Sequence, residues 1–215
     1  MPTGAPSLTG SVATVELTRP VTESISDEEI SNIQSEVANT YGVDAEDINV
    51  EVVYQTTGSI ELDVSDTTLT DEELAEAFEE EIASLLGIHE GDVEVTITDG
   101  VATYTITSDS AENAEDLQND ISQSAEALTG AIEDSANVNV ISIDVDDEVN
   151  AEVVVTVDTS GAENNLNDAA ESLETSFEEQ GYIAEAESNK ISIIFVAKSL
   201  YWKNSIQFSK IPTHK

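Results

Sequence analysis

The chain has 215 residues, 46 of them Asp or Glu and only six Lys or Arg, giving a formal net charge of −40. With 39% hydrophobic residues it can bury a core, and its length suits one large domain or two small ones. The absence of Cys removes disulfides, thiolate metal sites and cysteine nucleophiles. The charge excludes nucleic acid as a direct electrostatic partner, and neither end carries an apolar run long enough for a membrane span.

The charge is unevenly placed. Lys190, Lys198, Lys203, Lys210 and Lys215 all lie in the last 26 residues, which hold no acid, so residues 1–189 carry −45 with Arg19 their only base, and the tail +5. The same tail holds Phe195, Tyr201, Trp202 and Phe208. Three readings follow from this abrupt change: an ordinary solvated end, a segment that docks on an acidic face of its own body or of a neighbouring copy, or a coding-end artefact. A body at −45 repels itself, and bound cations, high salt or a basic partner would each relieve that strain.

In chain order, residues 1–10 read as a flexible Pro/Gly/Ser lead, with no basic or apolar region of signal-peptide type in Met1–Ser7. A strand over 11–19 puts Ala13, Val15 and Leu17 on one face and stops at Pro20. Ser26-Asp27-Glu28-Glu29 then opens a helix with a capping box, its stripe Ile30, Ile33, Val37 and Tyr41, its end at Gly42. Ile48, Val50, Val52 and Tyr54 form a strand, followed by a hairpin at Gly58-Ser59 and a strand through Ile60, Leu62 and Val64. The cap returns 44 residues on as Thr70-Asp71-Glu72-Glu73, with Leu74, Phe78, Ile82 and Leu86 before Gly87. A strand with Val93, Val95 and Ile97 turns at Asp99-Gly100 into one with Tyr104 and Ile106.

The third helix opens at Asp109 with Glu112, carries Leu117, Ile121, Leu128 and Ile132, and has its end marked by Gly130. Ile141, Ile143 and Val145 alternate in the register opposite to Val138 and Val140, which predicts a bulge near Ile141. An acidic turn at 144–148 leads to a strand with Val153, Val155 and Val157. Ser160 with Glu163 opens a fourth helix with Leu166, Leu173 and Phe177, ended by Gly181, and Ile191, Ile193 and Phe195 form a last strand.

This order reads βαββαβ twice: an α+β chain of two tandem ferredoxin-like units, 11–98 and 99–189, each an antiparallel sheet with helices on one face. Residues 190–215 add a terminal strand and the basic aromatic tail. Val53, Val154 and Ile194 fall on the polar phase of their strands, so sheet-on-sheet contact between units or copies is expected to cover them.

Chemistry is sparse. His89 and His214 lack a neighbouring nucleophile signature and read as solvated histidines. Asp158-Thr159-Ser160-Gly161 reads as a strand end followed by an N-cap, and no phosphate-binding glycine loop occurs. Asp144, Asp146, Asp147 and Glu148 gather carboxylates in one turn, either a solvated hairpin tip or a Ca²⁺ site. The helix–loop–helix type is excluded, because Val149 stands where that loop requires Gly. No catalytic residue, and no cofactor beyond Ca²⁺, is expected.

Gly58-Ser59-Ile60-Glu61-Leu62 resembles the Gly-Ser-Val-Val-Val turn of SEA modules, ferredoxin-like domains of eukaryotic cell-surface proteins. In cleaving members, strain at that turn helps the Ser hydroxyl attack the preceding Gly carbonyl. The resemblance implies Ser59 as nucleophile and Gly58 as acyl donor, with Glu61 standing where the motif has an apolar residue. The repeated cap–helix–Gly–hairpin pattern also looks like modules of secreted algal and protist proteins, and so implies an extracellular or cell-surface location.

These features lead to the expectation of a non-enzymatic extracellular structural protein, a filament subunit that adds its terminal strand to the sheet of the next copy. Val15 and Leu17 are the expected donor-strand anchors; Lys198, Tyr201, Trp202 and Lys203 are the expected contacts with an acidic neighbour. The alternative is a monomeric acidic surface module binding Ca²⁺ or a basic ligand. A hydrolase using Ser or carboxylates would need a pocket of buried groups with shifted pKa.

Overall fold

The computed structural model describes residues 12–65, 67–162 and 164–188. Among them are seven strands, β1 (Val12–Val21), β2 (Ile48–Asp63), β3 (Val93–Thr98), β4 (Val101–Ser108), β5 (Asn139–Val145), β6 (Val149–Asp158) and β7 (Ile183–Ser188). Four helices accompany them: α1 (Asp27–Tyr41), α2 (Asp71–Leu86), α3 (Ala111–Ala136) and α4 (Leu166–Glu179). The fold is α+β, and all the strands belong to one antiparallel sheet rather than two.

The organising element is β2. It runs unbroken for 16 residues, where the sequence predicts two strands joined by a hairpin. Its Ile48–Gln55 stretch pairs with β6, Tyr54–Glu61 with β4, and Gly58–Asp63 with β5. Residues paired with both β4 and β5, or with both β4 and β6, must use opposite edges. So β5 and β6 lie end to end along one edge of β2. The acidic segment 146–148 is therefore not a hairpin tip: the chain keeps its direction through it, and the Asp146 N–H donates to the Thr57 carbonyl at 3.0 Å.

Two halves share these long strands. One contains β1, the first part of β2, β6 and β7, with α1 and α4; its strands neighbour in the order β2-β6-β1-β7. The other contains the rest of β2, β3, β4 and β5, with α2 and α3, in the order β3-β4-β2-β5. In each half's own chain order this is second, third, first, fourth, with a helix after the first strand and after the third. The second half is inserted within the first, so the expected tandem division at 98/99 falls inside the β3–β4 hairpin. That hairpin itself forms as expected, with Asp99 at φ 52° and Gly100 at φ 79°.

The 44-residue repeat matches the first helix and second strand of each half. Ser26 accepts from the Glu29 N–H, and Thr70 with Glu73 completes a capping box. Both helices end in a left-handed glycine, Gly42 and Gly87, and the N–H of Val43 and of Ile88 returns to the carbonyl of Ala38 and of Ala83, each at 3.1 Å.

The second helix of each half departs from its expected ends. The cap of α3 is Ser110, not Asp109, and α3 runs straight through Gly130 to a left-handed Asn137. Asn165 caps α4, while Ser160 lies in a 3-10 turn closed by Asp158 at the end of β6; Glu163 lies outside the described residues. The bulge at Ile141 is present: Ser142 pairs Glu61 and Val140 pairs Leu62, leaving Ile141 unpaired and 56% exposed.

Each half has its own core. Leu17, Val37, Val155 and Phe177 centre the first; Ile60, Phe78, Ile106 and Leu128 centre the second. Even-numbered β2 residues enter both, from Ile48 and Tyr54 to Ile60 and Leu62, so all four helices cover the same face of the sheet. Val15 and Leu17 are wholly buried, and β1 is paired on both sides, by β6 and β7 of its own chain. This corrects the expectation that they anchor a neighbour's sheet. Pro20 does not end β1; it sits opposite Asn150, beyond the stretch that β7 pairs, so its missing N–H leaves no ladder bond unmade on that side. The strand expected at 191–195 lies outside the described residues.

Candidate binding face

The other face of the sheet carries no helix among the described residues. Its surface follows from period two: even positions of β1 and β6 and odd positions of β2 point away from the cores. Glu16 of β1, Val154 of β6 and Glu51 of β2 stand in one cross-strand row, and Thr18, Glu152 and Val53 in the next. The sheet is hollowed here. A depression of about 570 Å³ is lined by Glu51, Val53, Glu94, Thr105, Glu152 and Val154, among others.

Glu152 is on its lining. Gln55 Nε2 donates to Glu152 Oε2 at 2.5 Å. Burial raises the Glu152 pKa, and the carboxylates of Glu16, Glu94 and Glu51 raise it further. Arg19, the only Lys or Arg of the described residues, does not relieve this crowding. It sits on the odd, helix-facing phase of β1, pairs with Glu29 at 2.6 Å and lies 4.8 Å above the Tyr182 ring. The hollow therefore offers carboxylates, threonine hydroxyls and a short valine strip.

The acidic residues singled out in the sequence are spread over different settings. Asp144 belongs to β5 and pairs with Ser59. In the break between strands, the Asp146 carboxylate accepts from Thr57 Oγ1 and its carbonyl from Gln118 Nε2. Asp147 and Glu148 line a separate hollow of about 290 Å³ beside Pro20, Glu115 and Gln118. Among the described residues, no group of three or more His, Asp or Glu side chains is arranged to hold a metal ion.

Gly58 and Ser59 sit in mid-strand, not at a turn, and only Gly42, Gly87, Gly100 and Gly181 are the described glycines at positive φ. The strained turn that self-cleavage requires is replaced by ladder-paired backbone, Gly58 with Tyr104 and Val145, Ser59 with Thr103 and Asp144. His89 caps a 3-10 turn locally, its Nδ1 accepting from the Gly91 N–H at 2.9 Å. His214 and the tail contacts Lys198, Tyr201, Trp202 and Lys203 lie outside the described residues.

Glu16, Glu51, Glu94 and Glu152 went unmarked in the sequence. The available signal was Val53 and Val154, correctly placed off the core face. They lie on an open hollow, and no second sheet of the described residues covers them. No helix among the described residues is long and apolar enough to cross a membrane. Neither family models nor curated proteins yield a match to this chain.

Proposed function

We propose that the protein is a non-catalytic, acidic binding module, made of two ferredoxin-like units of which one is inserted in the other, and that its open sheet face receives a basic, extended polypeptide segment. The observation that carries this reading is the hollow itself. A half-buried carboxylate stands there among three others, with valines beside them and no cation from the described chain. An incoming Lys or Arg would relieve the repulsion among these carboxylates, and the desolvated floor strengthens that attraction relative to an exposed helix back. Extended peptides suit a sheet floor, where side chains alternate into it.

The setting we propose is extracellular or at the cell surface, as the likeness of the repeated cap–helix–Gly pattern to modules of secreted algal and protist proteins implies. Polymerisation by donation of β1 has no support from an arrangement in which β1 is an inner strand of its own sheet. The test is an NMR titration of the full chain with a lysine-rich peptide. Amide shifts should concentrate at Glu51, Val53, Thr105 and Glu152; shifts spread evenly over the acidic helix backs, or none, would overturn the reading.

A further inference from the structure

The chain carries a segment of the kind this face would accept. Beyond Ser188, the end of β7, come 27 residues with five Lys, no acid, and the aromatics Phe195, Tyr201, Trp202 and Phe208. The hollow has the complementary character in both respects: Glu51, Glu94, Glu152 and Asp92 on its lining, and an apolar strip at Val53 and Val154. We propose that residues 190–215 lie across the open sheet face of their own chain. Lys198 and Lys203 then meet Glu51 and Glu152, and Tyr201 and Trp202 cover the valines. This inference rests on the reading of the face as a receptor for basic segments and names its resident occupant.

Geometry favours the chain's own tail over a neighbour's. Ser188 is paired with Ala13, and Glu152 with Thr18, five positions along β1 and one strand further in. With strand rise and strand spacing this separates Ser188 from Glu152 by about 20 Å. The ten residues from Ser188 to Lys198 span up to about 33 Å when extended, so Lys198 reaches the hollow with slack to spare. A tether of this length holds the segment at an effective concentration on the order of millimolar, far above that of a second copy in dilute solution. The tail thus acts as a resident competitor that an external basic segment must displace.

Trp202 is the only Trp of the chain and reports on the tail directly. At low salt the full chain should emit at shorter wavelength than a solvated indole, independently of protein concentration. Either 1 M NaCl or the pair Glu51→Gln and Glu152→Gln should shift emission to the red. The charge-matched pair Glu76→Gln and Glu80→Gln, on the exposed back of α2, should not. A solvated emission insensitive to the face pair overturns the proposal, and a blue emission lost on dilution overturns it in favour of a neighbouring copy.

The full chain with all five tail lysines changed to Gln separates this inference from the one beneath it. It should bind an added lysine peptide at least five-fold more tightly than the unaltered chain. Equal affinity overturns the resident tail while leaving the face reading intact; no binding by either chain overturns both.

Discussion

The Tyr104 ring occupies the space that a side chain at Gly58 would need. The two residues pair across β2 and β4, and a Cβ on Gly58 would lie 2.2 Å from Tyr104 Oη and 2.4 Å from the Asp144 carbonyl oxygen. Glycine stands in mid-strand because an aromatic ring approaches the backbone from the next strand.

Gly58→Ala should therefore lower unfolding stability by about 1–3 kcal/mol, the usual cost of overpacking, as read from urea denaturation. Ser59→Ala, on the opposite phase, should stay within ~0.5 kcal/mol of the unaltered protein. Tyr104→Phe removes a buried hydroxyl that has no hydrogen-bond partner among the described residues, so stability should hold or rise. The full chain should also keep its Gly58–Ser59 bond intact on prolonged incubation, as read by mass spectrometry, since that pair lies in a ladder-paired strand and not in a strained turn.

Insertion of one half in the other makes a claim about cooperativity. Phe78 and Phe177 are both wholly buried, one in each core. Truncating either to Ala should cost about 3–5 kcal/mol. Because β2 crosses both cores, and β5 and β6 continue one another along its edge, each variant should lower the midpoint of a single shared calorimetric transition. Two separate transitions, only one of them moved by each variant, would mean that the halves unfold independently.

Glu152 sets a pH dependence of definite sign. Its pKa is raised in the folded state, mainly by burial and then by Glu16, Glu94 and Glu51. The folded chain therefore holds this proton more tightly than the unfolded chain. The resulting stabilisation is fully present below the ordinary value of 4.5 and is lost as pH rises through the higher folded value. Glu152→Gln should flatten that part of the stability–pH curve. At neutral pH it should raise stability by about 0.5 kcal/mol through loss of like-charge crowding, measured by thermal melting at matched salt.

What could be read in the chain was whatever is decided locally. Ser26, Thr70, Gly42, Gly87 and the Asp99-Gly100 turn each act within a few residues, and each does what its type predicts. Gly58-Ser59 misled because its strand conformation depends on Tyr104, 46 positions away. The alternation of β1 marked a strand but not its partner, and β6 lies some 130 residues further on. The acids of the hollow were hidden by abundance: among 46 carboxylates, only the folded sheet distinguishes Glu152 from those on helix backs. The nested order was invisible for a related reason, since a tandem and an inserted unit present the same sequence of helices and strands.

The most direct test of the binding face compares two charge-matched variants, both in the chain whose five tail lysines are changed to Gln so that no resident segment competes, by calorimetric titration with one lysine-rich peptide. One carries Glu51→Gln and Glu152→Gln in the hollow, the other Glu76→Gln and Glu80→Gln on the exposed back of α2. At physiological salt, where the Debye length is about 8 Å, a general charge effect would treat the pairs alike. The account predicts an affinity loss of about ten-fold or more, ~1.4 kcal/mol, for the hollow pair and less than about two-fold for the helix pair. Equal losses from the two pairs would contradict it.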